Sequence, residues 1–174
     1  MDTETVGPAG AEADAVTVTD LFRAHHLELV RFALVLTGDL ATAEDVVQDV
    51  FERLHRRWPD LRERTGLSYA MTSVLNGCRS AARRDQVRRR HANALVGRPS
   101  AGADAASAVA DRGALAAALR SLPGRQREVI VLRYYCDLDV AEIARMLGIG
   151  PSTVRSAVSR GLAALASAVG EEDR

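Results

Sequence analysis

Lysine is absent from this chain of 174 residues, so all 23 basic residues are arginine. A guanidinium stays charged at any working pH and forks onto phosphates and base edges, where an ammonium is only a point charge. Aromatic residues are scarce at 4%, although 47% of the residues are hydrophobic. A core built mainly from Ala, Leu and Val favours helices over a sheet, and an all-α protein of one or two small domains is expected. Cysteine occurs only as Cys78 and Cys136, far apart and inside apolar helical patterns. That spacing excludes a disulfide framework and points to buried free thiols. His25, His26, His55 and His91 form no triad and no ligand set, so neither a metal, a cofactor nor an enzyme is expected. No apolar run is long enough to cross a bilayer. The opening MDTETVGPAGAEADA is acidic where a signal peptide starts positive, which predicts a cytoplasmic protein with no membrane insertion.

The formal net charge is zero, but the charges are segregated. Residues 1–20 hold five acids and no base, whereas 61–98 hold nine arginines against Glu63 and Asp85. Up to residue 16 there is no periodicity, as expected of a disordered acidic tail. DLFRAHHLELVRFALVLTG then places Leu21, Leu29, Phe32, Ala33 and Leu36 on one face, with Thr17 or Thr19 as cap and Gly38 as stop. In the next helix Thr42 and Asp45 have capping-box spacing, and Val46, Val47, Val50, Phe51 and Leu54 form the apolar stripe. A third helix is expected from about Ser68 to Arg90, apolar at Met71, Val74, Leu75 and Cys78 before turning into RSAARRDQVRRR. The Ala-, Gly- and Ser-rich segment 91–111 reads as a flexible linker between helical domains at 17–90 and 112–170.

The second domain ends distinctively. DLDVAEIARMLG is a one-sided helix stopped by Gly148, Ile149 plugs a tight turn, and Pro151 suits the first position of another helix. That helix is expected to bury Val154, Val158 and Leu162, which completes a helix-turn-helix. Its other face presents Ser152, Thr153, Arg155, Ser156, Ser159 and Arg160 to a major groove and its phosphates. Two further surfaces stand out. Asn76, Arg79, Arg83, Arg84 and Arg88, with Arg89 and Arg90, make a positive ridge on the third helix. Asp45, Gln48, Asp49 and Glu52 recur at three and four residues, an acidic strip along which a basic partner helix can lie. Taken singly, the ridge and the strip also suit an ordinary solvated face.

Together, LVRFALVLTGDLATAEDVVQDVFERLHRRW, SYAMTSVLNGCRSAARR and LPGRQREVIVLRYYCDLDVAEIARMLGIGPSTVRSAVSRGLAAL resemble an extracytoplasmic-function sigma factor of bacterial RNA polymerase, nearest the actinobacterial sigma-E-like group. The resemblance runs from Asp20 to Ala166. It implies a transcription initiation factor in which Asp45, Gln48, Asp49 and Glu52 bind the clamp helices of the largest polymerase subunit, while the flap region seats the C-terminal domain. Asn76 and the loop from Arg64 to Tyr69 would hold an extruded base of the minus-ten element, with Arg79, Arg83, Arg84 and Arg88 following the strand backbone. The helix from Ser152 to Arg160 would read the minus-thirty-five element, and an anti-sigma factor is a further expected partner. The chain departs from many relatives at Tyr69-Ala70, where they carry Trp, at Ser80, where they carry an acid, and at Ala157, where they carry a base. A dimeric helix-turn-helix regulator with an N-terminal sensing domain is the alternative, and a nonspecific RNA-binding adaptor would use the arginine ridge alone.

Overall fold

The computed structural model describes residues 17–58, 66–96 and 110–172. The tail over 1–16, Arg64 and the part of the expected linker beyond 96 up to 109 lie outside them. All regular structure among the described residues is helical: α1 (Val18–Thr37), α2 (Leu40–Arg57), α3 (Gly66–Val96), α4 (Ala110–Ser121), α5 (Gly124–Ile130), α6 (Val140–Leu147) and α7 (Pro151–Glu172). The all-α expectation holds. Between α5 and α6 the chain continues through one π-helical turn, Val131–Tyr135.

Local chemistry sets most of the boundaries. The Thr17 hydroxyl accepts from the Asp20 N–H at 3.2 Å, and the Asp20 carboxylate accepts from the Thr17 N–H at 3.0 Å, a complete capping box. Gly38, at φ 75°, ends α1 in the left-handed conformation that glycine adopts without a Cβ penalty. For α2 the expected pairing of Thr42 with Asp45 is not the cap. Asp39 takes that place, accepting from the Thr42 N–H at 2.8 Å and the Thr42 hydroxyl at 2.6 Å. These bonds hold the Asp39 carboxyl below its ordinary range. Helix α3 outruns the expected Ser68–Arg90 at both ends. Ala92, Ala94 and Leu95 are good helix formers, and the first breakers are Gly97 and Pro99.

Helices α1, α2 and α3 pack on one another, while α7 packs on α5 and also touches α4 and α6. Phe32, Val47, Val50, Leu54, Val74 and Leu75 fill the first group, and Val129, Leu132, Ile143 and Val154 fill the second. The two groups meet, because α1 touches both α4 and the π turn. One expected core position lies outside: Leu162 is 42% exposed. On α4 Leu115 is exposed, with Ala118 and Leu122 facing inward. On α7 the inward face is Val154, Ala157, Val158 and Gly161, a spacing of three and four residues. A Cβ at Gly161 would sit 2.8 Å from Ile130 Cγ1, so α5 packs tightly on α7 there and the neighbouring Leu162 faces outward.

Both cysteines are free, Cys78 buried and Cys136 partly so. Burial pushes each thiol up to about 12. At pH 8 the thiolate fraction is then on the order of 1 in 10⁴. Iodoacetamide is therefore expected to leave both unmodified in the folded chain and to label both in denaturant. Rapid labelling of either native thiol, read by mass spectrometry, would contradict the burial.

Candidate nucleic-acid interface

Helix α7 carries the first surface. It opens where the Gly150 carbonyl accepts the Val154 N–H at 3.1 Å, with Pro151 in the first turn. Ahead of it Gly148, at φ 63°, ends α6, whose start is a second capping box between Asp139 and Glu142. Ser152, Thr153, Arg155, Ser156, Ser159 and Arg160 are all exposed, while Val154 and Ala157 are buried between them. The free N–H groups of the first turn and two guanidinium groups thus share one accessible face, suited to phosphates and groove edges. Ala157, at 3% exposed, belongs to the core. A basic side chain is lacking at a position that does not face outward, so the departure there removes nothing from the surface.

The second surface lies on α3. Asn76, Arg83, Arg84 and Arg88 are exposed. Arg88 is paired with Asp85 one turn earlier at 2.6 Å. Arg79 is held differently. Its Nε and Nη2 donate to Glu128 of α5 at 2.6 and 2.7 Å, and its Nη1 donates to the Asn76 side-chain oxygen at 3.1 Å. The hydrogen bond and charge of Glu128 raise the Arg79 pKa further.

On α2 the side chains of Asp45, Gln48, Asp49 and Glu52 are exposed, and the Gln48 amide donates to Glu52 at 3.4 Å. The strip and the ridge are not separate. Asp49 and Arg53 of α2 share a polar groove of about 440 Å³ with Tyr69, Ser73, Asn76 and Arg84 of α3. The hydrogen bond with Arg57 lowers the Tyr69 pKa, and Ser73 acts in the same direction. The groove exists because α2 and α3 meet at Gly77, where a Cβ would stand 2.6 Å from Val46 Cγ1. Sequence reasoning missed Arg53 and Ser73 as neighbours of Asn76, and Arg57 as the partner of Tyr69. Their signal was faint, two arginines following an acidic strip at helical spacing. It missed Glu128 as the partner of Arg79 as well.

Comparison with known proteins gives this arrangement its context. Residues 21–89 match sigma-70 region 2, and residues 112–165 match sigma-70, region 4. The chain belongs to the sigma-70 family. The ECF RNA polymerase sigma factor SigL of Mycobacterium tuberculosis is 35% identical over 165 residues, covering 89% of this chain and 90% of the relative. The RNA polymerase sigma-E factor of Streptomyces coelicolor is 30% identical, over 79% of this chain and 77% of its own length. Sigma factor RpoE of Bartonella quintana, solved with the anti-sigma factor NepR, shares the fold at a TM-score of 0.69 and 24% identity, over 87% of this chain and 98% of that one. The actinobacterial extracytoplasmic-function resemblance therefore holds, and the role is that of a transcription initiation factor. Sigma factors of this family are non-catalytic transcription factors. Region 2 corresponds to α1, α2 and most of α3, and region 4 to α4 through most of α7.

Proposed function

We propose that three faces of this sigma factor divide the work of initiation. Asp45, Gln48, Asp49 and Glu52 on α2 dock against the basic clamp helices of core polymerase, and the flap region seats α4–α7. Asn76, with Arg79, Arg83, Arg84 and Arg88, captures the unpaired strand of the minus-ten element by base and phosphate contacts. Ser152, Thr153, Arg155, Ser156, Ser159 and Arg160 read the minus-thirty-five element from the major groove. Polymerase supplies all the chemistry, in the cytoplasm. Residues 17–90 and 112–170 act as separate modules joined by the intervening segment. An anti-sigma factor is a fitting partner, as the Bartonella protein was solved in complex with one.

The observation that carries this reading is the exposed face of α7, where the six polar residues lie together and the intervening Val154 and Ala157 are buried. A dimeric regulator would use the same face, but it leaves the arginines of α3 and the acids of α2 without a purpose. The test is run-off transcription with core polymerase from a related bacterium on sheared genomic DNA. Discrete transcripts sharing two spaced upstream elements are the expected result; none, with no co-elution with polymerase, would favour the dimeric regulator. In the same assay Arg155→Ala or Arg160→Ala should weaken promoter binding by roughly 1–3 kcal/mol for a base contact, or lower the salt slope by about one for a phosphate contact. No change in either quantity would remove α7 from the interface.

A further inference from the structure

Of the three phenylalanines in this chain, Phe32 and Phe51 are buried, while Phe22 on α1 stands 41% exposed. A lone apolar side chain on a surface is ordinary and marks nothing, as at Leu27 and Leu40. Phe22 is not alone. Its ring lies edge-on to Phe51 of α2 with 4.9 Å between centroids, and the His26 ring, one turn on along α1, lies against it at 4.3 Å. His26 is in turn 6.3 Å from Phe51, so three rings from two helices close into one cluster. Phe22 is its outermost member, with His26 half-buried and Phe51 beneath.

The cluster borders the acidic strip. On α2, Phe51 is followed directly by Glu52 and preceded by Gln48 at three positions, and both of these are exposed. The strip by itself is a weak docking surface, because exposed ion pairs are screened by salt and contribute little each. Most of the affinity of a protein interface comes from a few large aromatic or apolar side chains at its centre, with charged groups around them. Phe22 supplies that missing element at the edge of the strip. Its ring is already held by His26 and Phe51, so docking on it orders little that is not ordered beforehand.

We propose that Phe22, backed by His26 and Phe51, is the apolar anchor of the polymerase interface, and that the partner helix laid along the acidic strip carries a large apolar side chain among its basic ones to cover it. The proposal deepens the docking role given above to Asp45, Gln48, Asp49 and Glu52 and rests on it. It extends the interface from α2 onto α1 and adds a contribution that salt does not screen, since burial of apolar surface is not coulombic. The acids then set the rate and orientation of encounter, and Phe22 sets the lifetime of the complex.

The test is fluorescence anisotropy of the full chain, dye-labelled at its N-terminus and titrated with core polymerase from a related bacterium at two salt concentrations. Phe22→Ala should raise Kd roughly thirtyfold, about 2 kcal/mol at 1.4 kcal/mol per tenfold, with the salt dependence of binding unchanged. Phe22→Glu places another acid beside the strip, where charge alone would tighten binding; it should instead weaken binding at least as far as Phe22→Ala. Leu27→Ala is the control, because Leu27 is 60% exposed and lies about 140° around α1 from Phe22 at 3.6 residues per turn. It should bind as wild type does. A Phe22→Ala chain that binds like wild type overturns the anchor, as does a Phe22→Glu chain that binds more tightly or a Leu27→Ala chain that loses as much as Phe22→Ala. Weaker binding accompanied by loss of helical circular dichroism also overturns it, making Phe22 a support of the fold. Asp49→Arg in the same titration separates the two levels. If Asp49→Arg loses binding and Phe22→Ala does not, only the anchor fails; if neither variant loses it, or wild type does not bind, the docking role of the strip fails and the anchor with it.

Discussion

Asp49→Arg is expected to abolish holoenzyme assembly while leaving the protein folded. Asp49 is exposed at the centre of the acidic strip of α2, between Asp45 and Glu52 and beside Gln48. Reversing a charge opposite a basic partner surface removes an attraction and installs a repulsion, at a cost of several kilocalories per mole. Each 1.4 kcal/mol is tenfold in affinity, so a loss of roughly a hundredfold or more is expected. The fold has little at stake. The new arginine faces Arg53 one turn on, and a like-charge pair at that spacing costs only a few tenths of a kilocalorie per mole, about 0.2–0.5. Size-exclusion co-elution with core polymerase measures the first effect and thermal unfolding the second. An Asp49→Arg chain that still co-elutes would make the strip an ordinary solvated face.

Gly77→Val carries the largest expected effect on stability. The two helices that bear the acidic strip and Asn76 touch at this glycine, and even a single Cβ there would stand 2.6 Å from Val46 Cγ1. Val46 is itself buried and branched at Cβ, so it has no flexible end to swing aside. Filling a close-packed contact costs typically 1–3 kcal/mol, against which the helix-propensity gain over glycine is a fraction of a kilocalorie per mole, about 0.5. For a chain of this length each kilocalorie per mole moves the melting temperature by roughly 2–4 °C, so a fall of about 5 °C is expected in calorimetry. Prising α2 from α3 also spreads the groove that Asp49 shares with Asn76, and polymerase binding and promoter melting should weaken together. Unchanged melting would mean that α2 and α3 do not pack this closely in solution.

Much of this molecule was legible from the order of its residues, because the signals involved are local. A 3.6-residue period marks a buried face whatever lies across from it, and Thr17, Gly38, Gly148 and Pro151 act through backbone groups within a turn of themselves. The outward face of α7 followed from the same logic, since whatever is not on the apolar stripe points away from it. Local signals fail where two residues compete for one role. Asp39 and Thr42 both have capping side chains, and the placement of the α1–α2 turn favoured Asp39. They fail again at the edge of a stripe. Ala157 turned inward and Leu162 outward because α5 packs on α7 at Gly161, a contact with a distant segment that leaves no periodic trace.

The sequence by itself therefore determined the helical class, the helix stops at Gly38 and Gly148 and the exposed polar face of α7, and its two motif blocks pointed to the family, since each depends on interactions within a few residues. Only the tertiary structure decided that Asn76 and Asp49 line one groove and that Arg79 is held by Glu128. Those are pairings between helices, set by how the apolar faces of α1 and the π turn meet, and a charged residue on a helix surface carries no mark of its partner across 49 positions.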